Sequence, residues 1–470
     1  MIRSERMTKI IATLGPATDS PEKLEELIRS GVDVFRLNMS HAQHDWCIQV
    51  SKDIREKAAV VGRHVAILLD LQGPSIRTGD LEEPYELKIG DEVEFRNSEA
   101  PSTTRYSTTV NYPGMMEDVK EGDTLVVDNG TILMKIIKCS KSRIMCEVKT
   151  EGKMGSRRHI NLPGVRLNLP ALTDKDRADI NVAAKINVDY VAGSFVRDAA
   201  HVNELREALE GKGLNAHIVS KIEDQEAIRN IRDIIEASDV IMVARGDLGI
   251  EVNVEELPII QRRIVSLCHE IGRRVIVATH MLESMIQNPT PTRAEVTDVS
   301  NAVFEQADSV MLSGETSVGA HPIRCVESLD RISCRMERTT GLNLAAHAVI
   351  KSDKQKVVKA SVQLADSIRD SKIVVFTRRG ITAIRASLMR PEHAHIFAFT
   401  PDVRVCQKLA LARGITPFLG EIYEDVPKTI DAAIAQLMEA KLIEPGTPLV
   451  IISDILQGEY IMDSVMLHRA

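Results

Sequence analysis

Aromatic residues are scarce: 3% of the 470 positions, with a single tryptophan. The core must therefore be assembled from Val, Ile, Leu, Ala and Met. Cysteine is thin and unpatterned. The seven residues (47, 139, 146, 268, 325, 334 and 406) are odd in number, scattered, and never spaced as Cys-x-x-Cys. That argues against a disulfide framework and a zinc site, and fits reduced thiols in a cytoplasmic protein. No apolar run reaches the ~18 residues that a membrane span needs. The opening stretch MIRSERMTKIIATLG has no apolar core of a signal peptide, so no membrane and no export are expected, with Met1 or Met7 as the start. No segment is strongly basic and the net charge is −8, which argues against nucleic acid as a main partner.

What is present is a rhythm. TKIIATLG (8–15) precedes a helix-like SPEKLEELIRSG, with Ser20 as N-cap, Pro21 at the first helical position and Gly31 as the stop. VFRLNMSH (34–41) and HVAILLDLQGP (64–74) are further apolar runs, with a helical pattern between them. From about 80 to 165 the rhythm breaks into short alternating runs punctuated by Ile-Gly-Asp, Glu-Gly-Asp and Asn-Gly turns, which predict an inserted all-β module. The βα pattern resumes at 172–195 and continues through HIVSKIE, DVIMVARGDLG, RRVIVATHM and DSVMLSGET. Three runs before the insert and five after predict a (β/α)8 barrel, whose strands are buried on both faces and so read as continuous apolar runs. Residues 341–470 predict a separate C-terminal α/β domain, so that the barrel takes 1–79 and 166–340 and the β module 80–165.

Polar residues gather where these runs end, which in such a barrel is where chemistry sits. The second run ends in Arg36, Asn38, Ser40 and His41, and the third in Asp70, with Arg77 soon after. The fifth gives Lys221 and Glu223, the sixth Arg245, Gly246 and Asp247, the seventh Thr279 and His280, the eighth Ser313 and Glu315. Taken alone, Lys221 and Glu223 read equally well as a structural ion pair. Taken together, the set holds two carboxylates for a divalent cation (Glu223, Asp247), two cations for a phosphate (Arg36, Lys221) and a small hydroxyl cluster (Thr279, Ser313). The residues alone point to a metal-assisted reaction on a small phosphorylated or carboxylated substrate.

The same segments resemble the pyruvate kinase family. RLNMSHA is similar to its RLNFSHG, and LLDLQGPSIRTG to its LDxxGPxIRTG; SKIED, IMVARGDLGIEV, ATHMLESMIQNPTPTRAEVTDVSNAV and VMLSGET match nearly throughout. The resemblance implies transfer of the phosphoryl group of phosphoenolpyruvate to ADP, giving pyruvate and ATP. It assigns Lys221 and Arg36 to the phosphate, and Glu223 and Asp247 to Mg2+ (or Mn2+). Gly246, Asp247 and Thr279 take the substrate carboxylate. Asn38, Ser40, Asp70 and the Leu71 carbonyl take a K+. Asn38, His41, Arg77 and Arg158 contact the nucleotide, with the β module as a lid, and Thr279 and Ser313 relay a proton. It implies that Lys221 and Glu223 face the phosphate and the metal rather than each other. It also implies a homotetramer, and a sugar-phosphate or nucleotide effector at Thr377, Arg378, Arg379, Gly380 and Thr382.

The sequence departs from the family pattern at several positions. His280 replaces a Gln and is expected to fill space, with tuning of the proton step as the alternative. Ser75 stands where Glu or Lys is common, which puts the K+ requirement in question. Asn129 replaces an Asp in the lid, Arg157 and Arg158 replace a Lys pair, His159 replaces a Gly, and Arg379 a Ser. Two other readings stay open: a metal-dependent lyase or aldolase with Lys221 as an amine nucleophile, and a non-catalytic regulator.

Overall fold

The structure is a computed structural model that describes residues 6–97, 100–457 and 460–470. Eight parallel strands close a barrel: β1 (Lys9–Thr13), β2 (Val34–Asn38), β3 (Ala66–Asp70), β4 (Tyr190–Gly193), β5 (His217–Ile222), β6 (Val240–Ala244), β7 (Arg274–Ala278) and β8 (Ser309–Leu312), each paired with its sequence neighbours and β1 with β8. The first helix, Pro21–Ser30, has the expected ends. The Ser20 side chain accepts a hydrogen bond from Lys23 N, and Gly31 closes it at φ 110°, a left-handed conformation that glycine adopts without a Cβ clash.

Between β3 and β4 the chain leaves the barrel to form a seven-stranded sheet and a two-stranded one. One helical turn, Met115–Asp118, interrupts the otherwise all-β module. The module has a core of its own, around Phe95, Leu125, Met134, Ile144 and Val148. Its entry and exit strands, Ile76–Arg77 and His159–Asn161, pair antiparallel, with His159 opposite Arg77. The two connections to the barrel are thus stitched to each other.

The C-terminal domain is a five-stranded sheet in the order Ile415–Leu419, His395–Thr400, Lys372–Phe376, Pro448–Gln457, Tyr460–Arg469, parallel except for the last strand. That last edge strand carries no clean apolar run, and the sequence reading did not find it. The domain also plugs the bottom of the barrel. Ala410 and Leu411 join Ile11, Leu68, Tyr190, Met242, Ile276 and Met311 in the barrel's central column. This column explains how so few aromatics suffice: branched aliphatics, Ala and Met fill it, with Tyr190 the one ring. The seam is polar where it must be. Arg390 donates to both Asp308 oxygens at 2.7 Å, and Lys9 Nζ donates to Ile415 O at 2.7 Å.

Candidate active site

At the C-terminal mouth of the barrel, strand geometry sets which side chains converge. Asp70 is the last residue of β3. Lys221 and Glu223 lie two apart at the end of β5 and so share a face. The structure places them in contact: Lys221 Nζ is 2.8 Å from Glu223 Oε1, 2.7 Å from Ser194 Oγ and 3.5 Å from Asp70 Oδ1. The expectation that Lys221 and Glu223 stand apart is therefore corrected. Glu223 is buried and Lys221 nearly so, and an ammonium and a carboxylate withdrawn from water on one face lower each other's desolvation cost by pairing. Burial opposes the Lys221 charge, but Asp70 and Glu223 outweigh it and its pKa is raised. Burial pushes the Glu223 carboxyl up to about 7; Lys221 pulls it down and Asp247 adds to the rise.

Arg36 completes the cluster. Its Nε donates to Asp70 Oδ2 at 2.7 Å and its Nη1 to Thr13 Oγ1 at 3.1 Å. Nη2 has no partner among the described residues. Asn129 is exposed at a hairpin tip at φ 55°, and Arg36 makes its bonds to Asp70 and Thr13.

Asp247 sits in the first turn of the helix Arg245–Glu251, directly after β6. Gly246 N donates to Thr279 Oγ1 at 2.8 Å, which joins the ends of β6 and β7. Thr279 and His280 both adopt left-handed backbone, at φ 69° and 55°. For a β-branched residue that conformation is strained, and such strain concentrates at functional sites. His280 is exposed, 3.7 Å from Glu283, so it does not fill space as expected. Arg245 turns away from the mouth to bond the carbonyls of Ala278 and Thr279 and, at 2.7 Å, Asp298. Ser313 Oγ is buried without a hydrogen-bond partner. No hydrogen bond joins Ser313 to Thr279 among the described residues.

The donor set fits a divalent cation. Phe195 N holds Glu223 Oε2 at 2.6 Å, while Glu223 Oε1 has the Lys221 ammonium as its neighbour and no hydrogen bond of its own. A buried carboxylate raised partly by a second one, Asp247, is a negative pair short of compensation, which a hard cation relieves. The potassium set is close together in part: Asn38 and Asp70 are register partners in β2 and β3, and the Leu71 carbonyl accepts from Ser194 Oγ at 2.8 Å, while Ser40 is exposed. Of the nucleotide set, Arg77 bonds Ser75 Oγ at 3.3 Å and the Arg157 carbonyl at 3.1 Å, Arg158 pairs with Asp128 at 3.3 Å, and His41 is exposed. In the C-terminal loop, Thr377 Oγ1 accepts from Gly380 N at 3.0 Å, Thr382 is buried, and Arg378 and Arg379 are exposed.

Sequence reasoning missed Ser194 and Phe195. Ser194 links Lys221 to the Leu71 carbonyl, and Phe195, at φ 53°, aims its N–H at Glu223. A polar residue closing the fourth apolar run was the signal for Ser194. It also missed the contact between the inserted module's exit strand and the helix after β6. Asn161 Nδ2 donates to Glu251 Oε1 at 3.3 Å, and His159 Nδ1 lies 4.0 Å from Asp247 Oδ1. Burial lowers the His159 pKa, Asp247 opposes, and Arg77 and Lys221 add to the fall.

Comparison with known proteins agrees along the chain. Residues 5–326 match the family model "Pyruvate kinase, barrel domain" and residues 355–465 match "Pyruvate kinase, alpha/beta domain". A pyruvate kinase of Dictyostelium discoideum is 39% identical over 466 residues, covering 96% of this chain and 92% of that one. One from Geobacillus stearothermophilus is 38% identical, covering 97% of this chain and 78% of that one. A crystal structure of a pyruvate kinase from Cryptosporidium parvum superposes with a TM-score of 0.93 at 33% identity, over 99% of this chain and 96% of that one. With both of the family's domain models matched in order and the same architecture over nearly every residue, the chain belongs to the pyruvate kinase family of enzymes.

Proposed function

We propose that the chain transfers the phosphoryl group of phosphoenolpyruvate to ADP, producing ATP and pyruvate. The observation that carries this reading is the convergence of Arg36, Asp70, Lys221 and Glu223 within bonding distance at one barrel mouth. Phosphoryl transfer asks the protein for positioning and charge neutralisation rather than covalent help. Lys221, fixed by Ser194, Glu223 and Asp70, presents its ammonium to the moving phosphoryl group. Arg36, fixed by Asp70 and Thr13, has Nη2 left for a phosphate oxygen. The substrate carboxylate would meet Thr279 and the Gly246 and Asp247 N–H groups, with Gly246 N exchanging its bond to Thr279 for one to the substrate. The hydroxyls of Thr279 and Ser313, acting through water, would deliver the proton that turns the enolate into pyruvate.

Glu223 and Asp247 would hold Mg2+ or Mn2+, which when bound supplies neutralisation of the substrate's carboxylate and enolate oxygens. Asn38, Ser40, Asp70 and the Leu71 carbonyl would hold K+. The module at 80–165 would close over the nucleotide, with Arg77, Arg158, Asn38 and His41 as contacts, and so keep the phosphoryl group from water. The loop at Thr377–Thr382 would take a sugar phosphate or nucleotide through Arg378 and Arg379, and the working assembly would be a homotetramer.

The test is pyruvate formation from phosphoenolpyruvate and ADP with Mg2+, with and without K+, then with added sugar phosphates and AMP. Metal-dependent turnover is expected, and the difference with and without K+ decides whether Ser75 leaves a K+ requirement. A folded protein that makes no pyruvate under any of these conditions overturns the reading in favour of a lyase or a regulator.

A further inference from the structure

The two connections that tie the inserted module to the barrel come to rest on one dipeptide, Ser194–Phe195, just after β4. The entry leaves β3 through Leu71 and Gly73. Gly73 is left-handed, at φ 70°, and a Cβ there would stand 2.8 Å from Ser194 Cβ, 3.2 Å from Ser194 O and 3.3 Å from the Phe195 ring. Only a residue without a side chain lets the backbone lie this close. The exit strand His159–Asn161 sets the His159 ring against the Phe195 ring, with centroids 5.9 Å apart.

The same dipeptide holds the two charged groups at the end of β5. The buried Ser194 hydroxyl has one proton and donates it to the Leu71 carbonyl at 2.8 Å, which turns its lone pairs to the Lys221 ammonium at 2.7 Å. Phe195 N donates to Glu223 Oε2 at 2.6 Å. A lysine is a point charge on a flexible four-carbon stem, so its ammonium lies where its partners hold it. Among those partners, Ser194 is the one that the module's entry connection touches. We propose that Ser194 is a positioning residue through which the seating of the module's entry connection aims the Lys221 ammonium. Lys221 then meets the phosphoryl group in the productive geometry only while that connection rests on Ser194. This inference rests on the proposed function, which gives Lys221 the moving phosphoryl group.

The experiment compares the native full chain with Ser194→Ala, Gly73→Ala and Gly90→Ala. Gly90 is also left-handed, at φ 89°, but a Cβ there meets nothing within 4 Å, so its variant carries the backbone strain without the contact. Ser194→Ala and Gly73→Ala should each lower kcat by roughly 10- to 100-fold, the scale of a misplacement of up to about 1 Å, with KM for phosphoenolpyruvate and ADP within about threefold of native. Gly90→Ala should keep the native kcat. Exchange of the methyl protons of pyruvate with deuterated water reverses the step given to Thr279 and Ser313. In Ser194→Ala that exchange should stay within about threefold of native, because the proton step does not use the aim of Lys221. Ser194→Ala with kcat within about twofold of native, or with exchange falling as far as transfer, overturns the inference. Gly73→Ala indistinguishable in kcat from Gly90→Ala also overturns it; should Gly73→Ala not fold, Ser194→Ala decides alone. In each of those cases a native chain that makes pyruvate leaves the proposed function standing. A native chain that makes none brings down the proposed function and the inference with it.

Discussion

Replacing Lys221 with Met removes one charge from a buried set while nearly keeping its volume. In the native chain the ammonium touches Glu223 at 2.8 Å, Ser194 at 2.7 Å and Asp70 at 3.5 Å, and is 12% exposed. After the change Asp70 still has Arg36 at 2.7 Å, but Glu223 has only the Phe195 N–H at 2.6 Å. Removing one partner of a buried pair costs about 3–5 kcal/mol. Here the cost is capped, because a Glu223 carboxyl already at about 7 takes up a proton instead of staying charged. A loss of ~2–3 kcal/mol follows, or roughly 5–10 °C in melting temperature for a domain of this size. The effect on turnover is larger. A cation aimed at a transferring phosphoryl group contributes about 10^3- to 10^5-fold. Thermal melting and a coupled pyruvate assay on Lys221→Met, Glu223→Gln and the double variant separate the two effects. The double variant should recover most of the melting temperature and none of the turnover. Lys221→Met with turnover within tenfold of native would refute the reasoning and make the pair purely structural.

Three further outcomes are expected. Burial lifts the Glu251 carboxyl from 4.5 to about 7, against the pull of Asn161. Its folded form therefore favours the proton, and that contribution is fully present below about 4.5 and lost as pH rises through about 7. Glu251→Gln should thus melt higher than native at pH 8, by up to ~3 kcal/mol, with the gap closing near pH 4.5; a constant gap across that window would count against the burial argument. Arg390→Met strands Asp308, whose side chain is 0% exposed, and should cost about 3–5 kcal/mol in urea unfolding, with a loss under 1 kcal/mol as the contrary result. Thr279→Ala removes the acceptor of the Gly246 N–H and should lower kcat with little change in melting temperature, whereas a large stability loss with normal kcat would assign the residue to structure.

The barrel was legible because a parallel strand covered on both faces is apolar throughout, so each of its strands stands out as a run. The candidate site was legible because most of the polar residues that end such runs point into the mouth. What escaped was non-local. Nothing in HINL indicates that it docks on RGDLGIE, since only the closed barrel brings positions 159 and 247 together. Arg245 read as a mouth residue, yet its side chain found free carbonyls at the end of β7. The Lys221–Glu223 contact was expected to be absent, and burial favoured it. The edge strand Tyr460–Arg469 was missed because it includes Asp463, Ser464 and His468 among its apolar residues.

The plug formed by Ala410 and Leu411 bears on how such a chain can change over evolutionary time. The inserted β module brings its own core and could be exchanged as a cassette between its stitched connections. The C-terminal domain could not, because the floor of the barrel is its property. Removing it would take the Lys408 carbonyl from the Tyr190 hydroxyl and the Ile415 carbonyl from the Lys9 ammonium, and leave the central column open to water from below. A lineage is therefore free to redraw the far face of that domain, residue by residue, while the face under the barrel stays answerable to the enzyme above it.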